Sequence, residues 1–134
     1  MTFSADWLTW YDALQKPAWT PAPATIGLIW QILYPIIAVS FGFVLVQIIR
    51  RKLAWLVGLP FLINLVANLA FTPLQFGLQN LTLALVDIVI VWLTILWSMA
   101  AMWHRYRWVA WAQLPYLTWV TIATTLQTLI WLKN

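Results

Sequence analysis

The amino-acid sequence predicts an all-α fold: a polytopic membrane helix bundle of four transmembrane helices preceded by a short amphipathic interfacial segment. Three observations predict it. Charged residues make up only 7% of the 134 and hydrophobic ones 64%, whereas a soluble domain needs roughly 25% charged residues to dress its surface for water. Four apolar stretches each approach the ~20 residues that cross a hydrocarbon core. Apart from Asp87, the few charges fall outside those stretches instead of along them. Mean hydropathy is +0.86. Backbone groups in lipid must be paired within their own segment, so the spans are helices. The length fits one domain, residues 1–134.

The elements follow in order. Residues 1–23 form an interfacial loop segment. Within it Trp7, Trp10, Tyr11 and Leu14 recur at i, i+3, i+4 and i+7, one stripe of a helix lying flat in the headgroup region. Pro17 is expected to stop that helix near Gln15 or Lys16, and Pro21 and Pro23 to keep the chain extended afterwards. The first span covers 24–49 and ends at Arg50, Arg51 and Lys52. The second covers 53–71 and is followed by the uncharged connection TPLQFGLQN. The third covers 81–103 and the fourth 109–132, joined by the basic turn HRYR. Pro60 and Pro115, within the second and fourth spans, are read as packing features that kink them.

Topology follows from charge. Arg50, Arg51, Lys52, Arg105 and Arg107 share one face, against Lys16 and Lys133 on the other beside Asp6 and Asp12. The positive-inside rule puts loops 50–52 and 104–107 in the cytoplasm and both termini on the opposite side. The net charge of +4 therefore reports orientation, and no basic stripe exists for nucleic acid. The first twenty residues lack the basic start of a secretory signal.

Function classes narrow quickly. There is no cysteine, and the one histidine, His104, sits in the basic turn. Neither a metal centre nor a hydrolytic triad can be assembled, and a haem would lack its strong axial ligands. Internal repeats, expected of many transporters, are absent. Of the twelve tryptophans, Trp7, Trp10, Trp19, Trp55, Trp103, Trp108, Trp111 and Trp131 fall near span ends, as an aromatic belt would. Trp30, Trp92, Trp97 and Trp119 lie deeper. Trp30 and Tyr34 share a face of the first span, and Tyr116, Trp119, Ala123 and Gln127 share one on the fourth. Asn64 and Asn68 share a face of the second. Asp87 is an intramembrane carboxylate, either helix glue or a ligand group. Depth counting puts Trp30, Asn68, Asp87 and Gln127 in the outer half, with Asn64 and Trp119 nearer the middle. That distribution fits a polar and aromatic cavity opening outward beneath the proline-rich N-terminal segment. A flat aromatic ligand held by stacking suits it better than a metal-ligated one.

The strings WYDALQKPAWTP, NLAFTPLQFGL and LPYLTWVTIATTLQTLIWLKN, in that order, resemble the TspO/MBR family of tryptophan-rich sensory and translocator proteins. The resemblance implies a membrane receptor or sensor for tetrapyrroles such as protoporphyrin IX and for other flat hydrophobic molecules. It requires no cofactor and implies a homodimer in the lipid bilayer. It also implies, as an alternative, light-dependent oxidative degradation of the porphyrin, with Trp30 and Trp119 as the catalytic pair. Small-molecule transport or a structural role is the remaining alternative. Asn68, Tyr116, Ala123 and the loop residues Pro17, Trp19 and Pro21 match family positions. Phe71, Thr72 and Gln75 stand where the family usually has Trp, Ser and Phe, Gln127 replaces a late Asn, and Ala22 replaces the second proline of WxPP. The candidate ligand-binding set is therefore Trp19, Trp30, Tyr34, Asn64, Asn68, Phe71, Asp87, Tyr116, Trp119, Ala123 and Gln127. Family members usually carry a helix ahead of the WYxxLxKP motif. Six residues precede Trp7 here, so the resemblance implies a short form lacking that helix. No basic residue follows Tyr116 in range, so the sterol-recognition pattern is absent.

Overall fold

The computed structural model describes residues 6–134, with side chains from Thr9 onward. The Trp7 side chain, part of the expected stripe, lies outside the described residues. The chain is an all-helical, polytopic membrane bundle. Its helices are α1 (Asp6–Ala13), α2 (Pro23–Ile49), α3 (Leu59–Thr72), α4 (Leu81–Met102), α5 (Arg107–Ala112) and α6 (Leu114–Lys133). Among the described residues three runs are long and apolar enough to cross a membrane: Pro23–Ile49, Trp55–Gly77 and Leu81–Met102. The 20-residue α6 is less apolar, since Thr118, Thr121, Thr124, Thr125, Thr128 and Gln127 interrupt its hydrophobic surface.

α2 and α4 begin where local chemistry starts a helix. Pro23 occupies the first turn of α2, where its missing N–H costs nothing. The Asn80 side chain caps α4 by accepting the Leu83 N–H at 3.0 Å. Elsewhere the prolines act differently from expectation. Pro60 and Pro115 sit in the first turns of α3 and α6, so they open helices and do not kink spans. The expected second span therefore starts with a 3-10 turn at Trp55–Gly58, and the expected fourth divides at Gln113 into α5 and α6. Pro73 does not end the second span. The helix continues through a wide π-turn, Pro73–Gly77, closed by the Leu78 N–H on the Pro73 carbonyl at 2.9 Å.

α1 stops at Ala13, short of the expected Gln15 or Lys16. Lys16 folds back to donate to the Tyr11 carbonyl at 2.6 Å, and its ammonium lies over the Tyr11 ring at 4.6 Å. The Gln15 N–H, free of the helix, donates to the Asn134 side chain at 3.2 Å, and the Gln15 carbonyl accepts from Asn134 at 3.1 Å. The end of α6 thus ties down the segment after α1.

α4 packs most closely on α3 and on α6. α2 stands further off. Its C-terminal half is held by aromatic contacts, Phe41 on Phe61 at 4.9 Å and Phe43 on Trp108 at 4.8 Å. These join a cluster of Val44, Leu53, Met102, Val109 and Ala110. A second cluster, with Leu33, Ile37, Ala67, Ile95 and Val120, fills the middle. Towards the N-terminal end of α2 the helices are not closed by such contacts, and the space between them is a cavity.

Trp19, Trp55, Trp103, Trp108, Trp111 and Trp131, read as an aromatic belt, are all exposed on the surface of the bundle. Trp97, read as lying deeper along its span, is also exposed on the bundle surface. Trp92 ties α4 to α6 by donating its indole N–H to the Thr121 hydroxyl at 2.9 Å.

Candidate functional site

The cavity measures about 380 Å³, within the range of small-molecule pockets, roughly 300–1,000 Å³. α2 contributes Ile26, Gly27, Trp30 and Tyr34 to its wall. Trp30 and Tyr34, one turn apart, stack with ring centroids 5.3 Å apart and planes 27° from parallel. From α3 and the π-turn come Asn68, Phe71, Thr72, Gln75 and Phe76. α4 supplies Ile88 and Val91, and α6 supplies Trp119, Ala123, Leu126 and Gln127. Tyr11 of α1 and Pro23 complete the rim. Tyr11 is seated on Phe76, its ring 5.7 Å away, so the π-turn is the shelf on which α1 rests. Burial, and next the Asp12 carboxylate, push the Tyr11 phenol above its ordinary pKa.

Beneath the cavity a hydrogen-bond chain crosses three helices. The Tyr116 hydroxyl donates to Asn64 Oδ1 at 3.0 Å and accepts from Asn68 Nδ2 at 2.6 Å. Asn64 Nδ2 donates to the Val91 carbonyl and to the Thr94 hydroxyl, both at 3.1 Å. Tyr34 approaches Asn68 Oδ1 at 3.5 Å, the far limit of a hydrogen bond. These contacts fix both amides and lock α3 to α4 and α6. Tyr116 also meets Trp30 edge-on at 6.2 Å, bracing the stacked pair from behind.

The sequence-predicted residues divide accordingly. Trp30, Tyr34, Asn68, Phe71, Trp119, Ala123 and Gln127 meet in one wall. Four others do not line it. Trp19 is half exposed on the outside, because the turn at Pro17 (Thr20 N–H on the Pro17 carbonyl, 3.1 Å) directs it away. Asn64 and Tyr116 lie behind the wall, because each consumes the other's polar atoms. Asp87 is buried on α4 and is not among the lining residues, with its Oδ2 enclosed and without a hydrogen-bond partner among the described residues. Gln127 remains in the wall while donating to the Leu81 carbonyl at 3.3 Å.

Sequence reasoning missed Tyr11, Ile26, Gly27, Thr72, Gln75 and Phe76 as wall residues. A signal existed for two of them: Asn64, Asn68, Thr72 and Gln75 continue one helical stripe past the expected helix end. Among the described residues no group of three or more His, Cys, Asp or Glu could hold a metal. Stacking and hydrogen bonding are the chemistry this wall offers.

Comparison with known proteins agrees with this architecture. A profile of the TspO/MBR family matches residues 1–132. The tryptophan-rich protein TspO of Bacillus cereus is 39% identical over 127 residues, covering 94% of this chain and 81% of that protein. Protein CrtK of Rhodobacter capsulatus is 32% identical over 127 residues, covering 93% and 78%. The human translocator protein is 34% identical over 140 residues, covering 95% and 76%. The chain belongs to the TspO/MBR family.

Proposed function

We propose that this chain is a membrane-embedded receptor or sensor that binds tetrapyrroles, protoporphyrin IX among them, and similar flat hydrophobic molecules in the α2–α3–α4–α6 cavity. One observation carries the reading. Trp30 and Trp119, from the first and last long helices, share the wall of a single chamber with the Asn68 and Gln127 amides. Indole faces supply affinity to a flat ligand without a metal bond, so no cofactor is required. At about 380 Å³ the chamber takes a ligand of a few fused rings whole. A macrocycle keeps part of its rim between α1 and the mouth. Relatives called tryptophan-rich sensory protein and translocator protein support a sensory or translocating role in a membrane.

In this reading α6 is the fourth span, loops 50–52 and 104–107 face the cytoplasm, and the termini and cavity mouth lie opposite. The outward apolar residues of α2, Leu28, Ile32 and Val39 among them, meet lipid or a second copy in a homodimer.

The test is a titration of purified, detergent-solubilised protein with protoporphyrin IX, following the Soret band and tryptophan quenching. Saturation at fixed stoichiometry is expected, with weaker binding when Trp30 and Trp119 are both replaced by Phe. Binding that never saturates, or that ignores the double substitution, removes this site from consideration.

A second reading shares the pocket: light-driven oxidation of bound porphyrin by dioxygen, with Trp30 and Trp119 as redox partners. The contiguous rings of Tyr34, Trp30 and Tyr116 favour it, since they give an indole radical aromatic neighbours. Aerobic illumination of the complex separates the two readings. An enzyme yields a defined product faster than free porphyrin bleaches, and a receptor does not.

A further inference from the structure

Gln75 stands apart from the other buried amides. Asn64, Asn68, Gln47, Gln113 and Gln127 each hold at least one hydrogen bond to a neighbouring side chain or carbonyl. Gln75 is as buried, at 5% exposure. Yet its Oε1 is enclosed without a partner, and neither end of its carboxamide is hydrogen-bonded among the described residues. Leaving an amide unpaired away from water is costly, so buried polar groups are nearly always satisfied. Here the residue that carries the unsatisfied group is one of those that line the cavity. Thr72, one turn earlier on the same wall, also has a hydroxyl without a hydrogen bond. The π-turn that carries Gln75 is held by its own backbone bond and by α1 resting on Phe76. The amide is therefore positioned by the fold while its hydrogen-bonding capacity is left open.

A carboxamide presents a donor N–H and an acceptor oxygen side by side in one plane. Its terminal torsion is soft, so the two can exchange places at little cost. The partner that satisfies both at once is another planar group with an N–H and a C=O on one edge. Around it the cavity offers the flat or apolar surfaces of Phe71, Trp119 and Ile88. We propose that Gln75 is a specificity-determining residue that selects flat hydrophobic ligands carrying a lactam or cis-amide edge over ligands of the same shape without one. This rests on the cavity being the ligand site, as argued above.

The test uses three tricyclic probes of one shape: phenanthridinone, which has the lactam edge; its N-methyl derivative, which keeps only the carbonyl; and phenanthrene, which has neither. Each is titrated into the detergent-solubilised wild-type protein and into Gln75→Met, which keeps length and flexibility but cannot hydrogen-bond. The expected result is that wild type prefers phenanthridinone to its N-methyl derivative by about tenfold. In Gln75→Met that preference disappears while phenanthrene still binds saturably, which shows that the cavity is intact. Equal affinities in wild type, or a preference that survives in Gln75→Met, overturn the proposal while leaving the cavity as a ligand site. If none of the probes, nor protoporphyrin IX, binds wild type saturably, the cavity reading itself fails and this inference falls with it.

Discussion

Replacing Tyr116 by Phe isolates the hydrogen-bond chain beneath the cavity. The ring stays, so its edge-on contact with Trp30 at 6.2 Å and its fully buried packing are kept. What goes is one hydroxyl that bridges Asn64 Oδ1 at 3.0 Å and Asn68 Nδ2 at 2.6 Å. Both bonds join α6 to α3. Interhelical hydrogen bonds in membranes average about 0.6 kcal/mol and reach about 1.7. Two of them give a loss of about 1–3 kcal/mol, and the upper half is expected here because both amides are left with enclosed, unpaired atoms. The assay is reversible unfolding in mixed micelles, followed by tryptophan fluorescence. A double-mutant cycle with Asn64→Val asks whether the two changes couple. Asn64→Val alone also removes the bonds to Val91 and Thr94, so it is expected to cost more. The cycle should then show less than additive loss. A Tyr116→Phe protein as stable as wild type, or two strictly additive losses, would refute the network as a cooperative tie between α3, α4 and α6.

Three further perturbations probe separate parts of the molecule. Gly27 lines the cavity and a Cβ added there meets nothing within 4 Å, so Gly27→Phe should fill the chamber. It should lower protoporphyrin affinity at least about tenfold and leave stability equal or raised by about 0.5–1 kcal/mol, since Gly is a poor helix residue; undiminished binding would move the ligand elsewhere. Asp87→Asn removes a buried, unpartnered carboxylate near one end of α4. It should stabilise the fold by about 1 kcal/mol in the same unfolding assay without changing ligand affinity, and a loss of affinity would show that the carboxylate reaches the ligand. Lys16→Met removes the ammonium that holds the Tyr11 carbonyl and covers its ring. Limited proteolysis should then cut faster between α1 and α2, and ligand should leave faster in a stopped-flow chase; unchanged rates would mean that the tie to Asn134 alone holds the segment.

How much of this was legible in the sequence depended on what had to be known. α2 and α4 were readable to within a residue because apolar length is a local signal; Pro23, expected to keep the chain extended, instead opens α2, and the Asn80 cap went unread. The prolines at 17, 60 and 115, and the helix end at residue 71, were misjudged for a common reason. Proline forbids one N–H donor and restricts its predecessor, but whether that opens, bends or ends a helix depends on where the neighbouring carbonyls find partners. At Pro73 the answer is the Leu78 N–H, five residues on, a pairing outside the pattern that an α-helix search expects. The same error hid Gln75 and Thr72 from the site, because the helix carrying their stripe was taken to have ended.

Within the bundle, helical period assigns a face but not a depth. Asn64 and Asn68 share a face, yet Asn68 lines the cavity while Asn64 lies behind it, and the difference arises from partners on other helices. Tyr116 and Thr94 together occupy Asn64 at both ends, whereas Asn68 uses one end on Tyr116 and only a stretched contact on Tyr34. Polar residues in a membrane bundle thus sort by their unspent hydrogen bonds. Those fully engaged hold helices together, and those left open beside a cavity are available to a ligand. By that measure Asn64 is glue, Asn68 is intermediate and Gln75 is the most open amide of the wall. It is also the residue at which this chain's ligand preference should be most easily changed.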